Sequence, residues 1–302
     1  MTYATPAAFK AALEHRLRER FSSSIGRARQ IVVFSRFLAR IVSAMGNTAT
    51  LKGGLVLELR LSKARTTKDI DLGLHDTPGD PARVLERLQD AARLDLGDFM
   101  VFEVEPDPDS PTIDNPAMKY DGYRFRASCR LAGREYGRRF FGIDVALGDP
   151  IGGKADELVT EDWLGFAGVP PPTVRVYRVE THIAEKLHAY TMPRNRPNSR
   201  MKDLPDLALL GTTEAAFDRA DLRAAIGETF SSRATHDVPL SVPDPPPEWT
   251  DRYNRLALEE ELPWTTLPDL LARVRSFLDP VLAPAGSGGR WDSASWTWQE
   301  TE

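Results

Sequence analysis

The chain has 302 residues, 41% hydrophobic and 27% charged, with a formal net charge of -5. This is ordinary globular composition, which excludes wholesale disorder and a fibrous repeat, and the length allows one large domain or two that share a cleft. No apolar run reaches the ~20 residues of a membrane-spanning helix, and the single cysteine, Cys129, excludes an internal disulfide framework and a cysteine-rich zinc site.

At the start of the chain, Met1 to Lys10 has neither an apolar signal core nor a small-residue cleavage site, so a cytoplasmic location is expected. Apolar residues recur at Phe9, Leu13 and Leu17, then at Ile31, Phe34, Leu38, Ile41 and Met45, which predicts amphipathic helices over 9–21 and 27–45. Gly46 and Asn47 end the second helix. Residues 49–52 then lead to Gly53, Gly54 and a short apolar segment, a pattern for a turn or helix start.

From Asp69 the chain alternates, with Ile70, Leu72 and Leu74 on one face and Asp69, Asp71 and Gly73 on the other, as a half-buried strand requires. Pro81 opens a helix through Val84, Leu85, Leu88, Ala91 and Ala92. A strand over 101–105 precedes a surface loop crowded with Pro106, Pro108, Pro111 and Pro116. Residues 123–130 and 136–147 alternate around Ala132 and Gly133, which predicts a β-hairpin.

After the Pro170 to Pro172 cluster come a short strand near 173–177 and helices from about Glu180, then a proline-rich connector over 238–247 and a last helix near 267–277. The tail beyond Ala283 carries Trp291, Trp296 and Trp298 with weak periodicity, leaving disorder and packing through the tryptophans both open. The expected fold is α/β (α+β). A mixed-sheet lobe with flanking helices spans 1–170, a mainly helical lobe 171–284, and a tail 285–302.

Lys52-Gly-Gly-Leu55 followed by Arg65-Thr-Thr-Lys-Asp-Ile-Asp71 is the segment richest in chemistry. Carboxylates at i and i+2 on a strand face the same way, with Cα atoms roughly 6.5 Å apart, close enough to converge on divalent ions. The five histidines show no metal-binding pair, so a metal would fall to carboxylates, and magnesium or manganese suits such oxygen ligands. The glycine pair lets backbone N–H groups approach a phosphate, while Lys52, Arg65 and Lys68 supply positive charge. Asp144, alternating with Ile143, Val145 and Leu147, is a third candidate metal ligand if its strand neighbours that of Asp69 and Asp71. Asp149 reads as a turn residue.

The glycine pair, the R-x-x-x-D-I-D segment and Asp144 resemble the polymerase-β-type nucleotidyltransferase core. Ile183-Ala-Glu-Lys-Leu-His-Ala189 resembles the A-E-K-L helix of the AbiEii-type nucleotidyltransferase toxins. Arg200-Met-Lys-Asp-Leu-Pro-Asp206 resembles that family's R-x-K-D-x-x-D motif, and Ala225 to Phe230 with Arg233 its downstream helix. The likeness runs over roughly 50–280, in family order.

By resemblance Asp69 and Asp71 bind metal, Lys186 contacts a nucleoside triphosphate, and Asp206 completes the site with Asp203, Lys202 and Arg200 nearby. Many nucleotidyltransferases place Ser after the first Gly; Gly54 stands there here, so a hydroxyl contact to phosphate is absent and backbone N–H donors are left to serve. The implied activity is a growth-inhibiting transfer of nucleotides to RNA, with tRNA 3′ ends favoured as acceptor, and a cognate antitoxin as a further partner.

Each residue has an ordinary alternative: Lys186 as a surface lysine, His188 as a satisfied interface histidine, Asp206 as an exposed ion pair with Arg200 or Lys202. Arg194, Arg196, Arg200 and Lys202, between the two helical motifs and separated by Pro193 and Pro197, form a basic loop that suits either an RNA backbone or bulk solvent. Phosphorylation of Thr66 or Thr67 would put a dianion where substrate phosphates must go. A small-molecule nucleotidyltransferase and a non-catalytic nucleic-acid- or partner-binding relative are the competing functions.

Overall fold

The computed structural model describes residues 3–61, 67–75, 79–109, 111–112, 122–147, 155–194, 198, 200–213, 217–284 and 288–300. Arg65, Thr66, Pro116, Asp149 and Arg196 lie outside them.

Two helices open the chain, α1 (Pro6–Arg20) and α2 (Ile25–Met45). Pro6 fits the first turn of α1, where its missing N–H costs nothing, and the Thr5 hydroxyl accepts from the Ala8 amide at 3.2 Å. Residues 49–52 form a strand, β1 (Ala49–Lys52), and the glycine pair begins helix α3 (Gly53–Arg60). Then follow β2 (Asp69–Leu74), α4 (Pro81–Ala92) capped by Asp80, and β3 (Met100–Pro106).

The predicted hairpin is modified. β4 (Gly122–Leu131) turns through Ala132 and Gly133 into a two-residue strand, β5 (Arg134–Glu135), before the chain breaks away and returns to β4 as β6 (Phe141–Leu147). The break has a local cause. Tyr136 turns inward to 3% exposure, and Gly137 takes a φ of +79° beside α2, where a Cβ would stand 3.0 Å from Val33. Next come β7 (Asp156–Val159), which alternation did not predict, and β8 (Thr173–Val176).

Among the described residues these strands form a mixed sheet of order β3-β4-β6-β2-β1-β8-β7, with β5 beside β4. β2 runs parallel to β6 and antiparallel to β1, and β1 runs parallel to β8. Ile70, Leu72, Ile143, Val145, Phe125 and Ala127 bury one face of the sheet in a core shared with α1, α2 and α4. Strand alternation then sends Asp69, Asp71, Asp144 and Arg124 to the other face. Asp98, fully buried before β3, accepts from Arg36 Nε at 2.8 Å and from both terminal nitrogens of Arg40 at 2.8 Å, fastening α2 to the sheet.

β8 feeds α5 (Val179–Thr191), followed by α6 (Asp203–Gly211), α7 (Arg219–Arg233), α8 (Thr250–Glu259) and α9 (Leu267–Leu282). Their apolar faces form a second core cluster around Leu187, Leu207, Ile226 and Phe277, which Leu57 of α3 joins. The tail packs back through β9 (Arg290–Asp292) and β10 (Thr297–Gln299). Trp291 is 3% exposed, and its indole N–H donates to the Gly211 carbonyl at 2.8 Å, while that of Trp298 donates to the Phe277 carbonyl at 2.7 Å. Among the described residues no helix is long and apolar enough to cross a membrane.

Candidate active site

The chemistry-bearing residues gather where the end of β1 meets the start of β2. Pairing aligns Lys52 with Asp71 across β1 and β2, and Asp71 with Asp144 across β2 and β6. Directly opposed residues share a face at close range, so three carboxylates and one lysine crowd one patch. Asp69 stands exposed at the mouth and Asp71 lies half-buried behind it.

That crowding shows in the acidities. Desolvation, reinforced by Asp144, pushes the Asp71 carboxyl up from 3.8 to about 6 against the pull of Lys52 and Lys186. Asp69 is raised for the same two reasons, desolvation and then Asp144, although the Gly142 amide donates to it. Two acids held with excess negative charge and oxygen-only chemistry fit a divalent cation, which would relieve the repulsion.

Glycine is required twice by close approach. Gly53 has a φ of +70°, and a Cβ there would lie 2.0 Å from an Asp71 carboxylate oxygen. At Gly142 a Cβ would lie 2.6 Å from an Asp69 oxygen. Any side chain at either position would push the acid out of place.

Helices α5 and α6 supply the opposite wall. Lys186 Nζ donates to Asp203 Oδ1 at 2.9 Å and to Asp206 Oδ2 at 2.7 Å. Asp206 is 0% exposed, a buried brace behind the lysine rather than a surface acid. Asp203 Oδ2 has Arg200 Nη1 at 3.9 Å. Between the walls opens a cleft of about 340 Å³ lined by Gly53, Gly54, Thr67, Lys68, Asp69, Asp71, Lys186, Arg200, Lys202 and Asp203. Lys52 sits beside Asp71 behind this lining.

Asp144 stands apart from the cleft lining. Arg124 Nε and Nη2 donate to its two oxygens, each at 2.7 Å. Among the described residues no three carboxylate, imidazole or thiolate groups close around a common point for an ion.

His188, two residues past Lys186, points away from the cleft. It packs edge-on against Phe230, and its Nε2 pairs with the Thr235 hydroxyl at 2.8 Å. Burial lowers its pKa to about 4, so it is neutral at physiological pH. Glu185 pairs with Arg233 of α7. Arg194 donates to the Ala189 carbonyl at 3.1 Å and does not line the cleft. Thr67 is 7% exposed, and its hydroxyl donates to the Asp69 carbonyl at 3.3 Å.

Sequence reasoning missed Glu58, Arg124 and Gly142. Glu58 on α3, its side chain 3% exposed, accepts from Arg27 Nε at 2.9 Å and from the Thr67 amide at 3.2 Å, fixing the backbone two residues before Asp69. Gly142 was visible as a glycine two residues before Asp144, and Arg124 as the charged position of an alternating strand.

The family model described as "Nucleotidyl transferase AbiEii toxin, Type IV TA system" matches residues 36–280. The chain belongs to this family of nucleotidyltransferase toxins. Among solved structures it is similar to MenT4, the nucleotidyltransferase toxin Rv2826c from Mycobacterium tuberculosis H37Rv. The TM-score is 0.57 at 17% identity, over 97% of this chain and 93% of that one, a likeness of fold. JHP933 from Helicobacter pylori matches at a TM-score of 0.41 and 15% identity, over 71% of this chain and 82% of that one. No curated protein matches the chain.

Proposed function

We propose that this AbiEii-family chain transfers a nucleotide from a nucleoside triphosphate to the 3′ end of RNA, with tRNA as the preferred acceptor and magnesium or manganese as cofactor. One observation carries the reading: Asp69 and Asp71 face Lys186, Arg200 and Lys202 across a single open cleft. Acids on one side suit the cation, and bases on the other suit the phosphates it accompanies.

In the proposed step the acceptor hydroxyl oxygen bonds to the α-phosphorus, the bond from that phosphorus to the bridging oxygen breaks, and pyrophosphate leaves while the hydroxyl proton passes to water. A cation held by Asp69 and Asp71 would supply Lewis acidity toward the hydroxyl and the phosphoryl oxygens. Lys186, braced by Asp203 and Asp206, is held ready for the triphosphate without reorganising. Arg200 and Lys202 neutralise charge on the departing pyrophosphate, and the amides of Gly53 and Gly54 at the start of α3 offer donors to a phosphate oxygen. Two lobes sharing the cleft, with a boundary near residue 170, and a cognate antitoxin as protein partner complete the proposal.

The test is incubation of the purified protein with magnesium, each labelled triphosphate in turn, and total tRNA. Label should enter RNA with wild type and not with Asp69→Asn or Asp71→Asn. Equal incorporation by all three proteins would defeat the mechanism.

A further inference from the structure

The acids lie in the middle of a row that crosses four strands. Register pairs align Arg124 with Asp144, Asp144 with Asp71, and Asp71 with Lys52. At roughly 4.8 Å per strand the two cations at its ends stand about 14 Å apart, with the carboxylates between them. Lys52 is the end nearer Lys186, whose charge also reaches Asp71. The Arg124 end has no role in the donor-binding wall described above.

That far flank has its own chemistry. Asp144 grips Arg124 through Nε and Nη2, which leaves Nη1 with no acceptor among the described residues, on a side chain 40% exposed. Two residues along β4, the Arg126 guanidinium lies 4.4 Å over the ring of Phe140, which is 37% exposed despite its size. Arg126 aligns with Gly142, and Gly142 with Asp69, so this aromatic platform borders the mouth of the site. Arg138 is close enough to act on the charge of Asp69. Arg126 is already paired with Glu105 at 2.6 Å, so the flank is suited to stacking and hydrogen bonding more than to bulk charge.

We propose that this flank is the track of the acceptor strand: Arg124 Nη1 donates to a backbone phosphate near the RNA 3′ end and Phe140 stacks on a base, with Asp144 as the positioning residue of Arg124. In-line displacement requires the attacking and leaving oxygens on opposite sides of the α-phosphorus. If pyrophosphate leaves toward Lys186, Arg200 and Lys202, the acceptor must arrive from the other end of the row, where Arg124 stands. An exposed aromatic interleaved with guanidinium groups is the chemistry that holds single-stranded nucleic acid. The inference rests on the RNA-acceptor reading above.

The test uses the full-length protein and a fluorescein-labelled RNA hairpin with a single-stranded 3′ end, read by anisotropy over a range of salt. Arg124→Ala and Phe140→Ala should each weaken RNA binding about tenfold and raise the acceptor KM in step, with the KM for the triphosphate changed less than about twofold. Arg124→Ala should also reduce the salt slope by about one. Asp144→Asn should copy Arg124→Ala in RNA affinity, and an Asp144→Asn protein that binds RNA as tightly as wild type overturns its positioning role; Asp69→Asn should lose Mn²⁺, followed by electron paramagnetic resonance, while still binding RNA. Unchanged RNA affinity in both Arg124→Ala and Phe140→Ala, with wild type extending RNA, overturns the track and leaves the transferase reading intact. A wild type that neither binds nor extends RNA overturns the track together with the reading beneath it.

Discussion

Replacing Asp71 with Asn should stabilise the metal-free protein at neutral pH. The Asp71 carboxyl rises from 3.8 to about 6 in the folded chain, through burial first and the charge of Asp144 second. A raised carboxyl means that the folded state binds more protons than the unfolded one between about pH 4 and 6. Stability therefore falls as pH rises through that window and stays lower above it. At 1.36 kcal/mol per tenfold change in acidity, the difference is worth about 3 kcal/mol at most. Asparagine keeps the shape and carries no charge, so it removes the cost. Urea unfolding in EDTA at pH 5 and pH 7.5 measures it: the variant should exceed wild type at pH 7.5, and the gap should narrow at pH 5. Magnesium should raise the midpoint of wild type and leave that of Asp71→Asn nearly still. An Asp71→Asn protein less stable than wild type by the same amount at both pH values would refute the reasoning.

Gly53→Ala should lower transfer at least about 100-fold, because the new Cβ would fall 2.0 Å from an Asp71 oxygen in a backbone with φ +70°; far-UV circular dichroism should match wild type, and full activity would contradict the close approach. Asp98→Ala leaves Arg36 and Arg40 buried without their carboxylate, and should cost about 3–5 kcal/mol in urea unfolding. The same two arginines, after desolvation which opposes them, hold the Asp98 carboxyl below its usual range, so its contribution in wild type is present above the unfolded pKa and is lost as pH falls through the lower folded value. Trp291→Ala removes a ring packed 4.6 Å from Phe277 and a donor to the Gly211 carbonyl, and should cost about 3–5 kcal/mol; a change within about 0.5 kcal/mol would mean that the tail does not hold the helical core.

The parts of the fold that were legible in the sequence are those with a long enough period. β2, α1, α2 and α4 announce themselves by apolar spacing, and the same alternation that buries Ile70 and Leu72 turns Asp69 and Asp71 to the open face. β1 and β7 have four residues each, too few for a pattern, and β1 gains its strand geometry from pairing with β2 and β8. The tail tryptophans have no period because they are set by an irregular cluster on Phe277, not by a helix face. The cleft residues sit in local motifs and could be nominated from them. Register could not: that Asp144 lies opposite Asp71 depends on a parallel pairing between segments some 70 residues apart, and that Arg124 lies opposite Asp144 on an antiparallel pairing across an interrupted hairpin, which no local spacing encodes. The burial of Asp206 depends in the same way on how α6 docks against α5.

A crystal of the wild-type protein soaked with Mn²⁺ and a non-hydrolysable nucleoside triphosphate analogue tests the central claim most directly, through the anomalous signal of the ion. Manganese should appear between the carboxylates of Asp69 and Asp71, with the triphosphate running toward Lys186 and Lys202. Manganese bound away from both acids, or a triphosphate bound outside the cleft that they share with Lys186, would contradict the account.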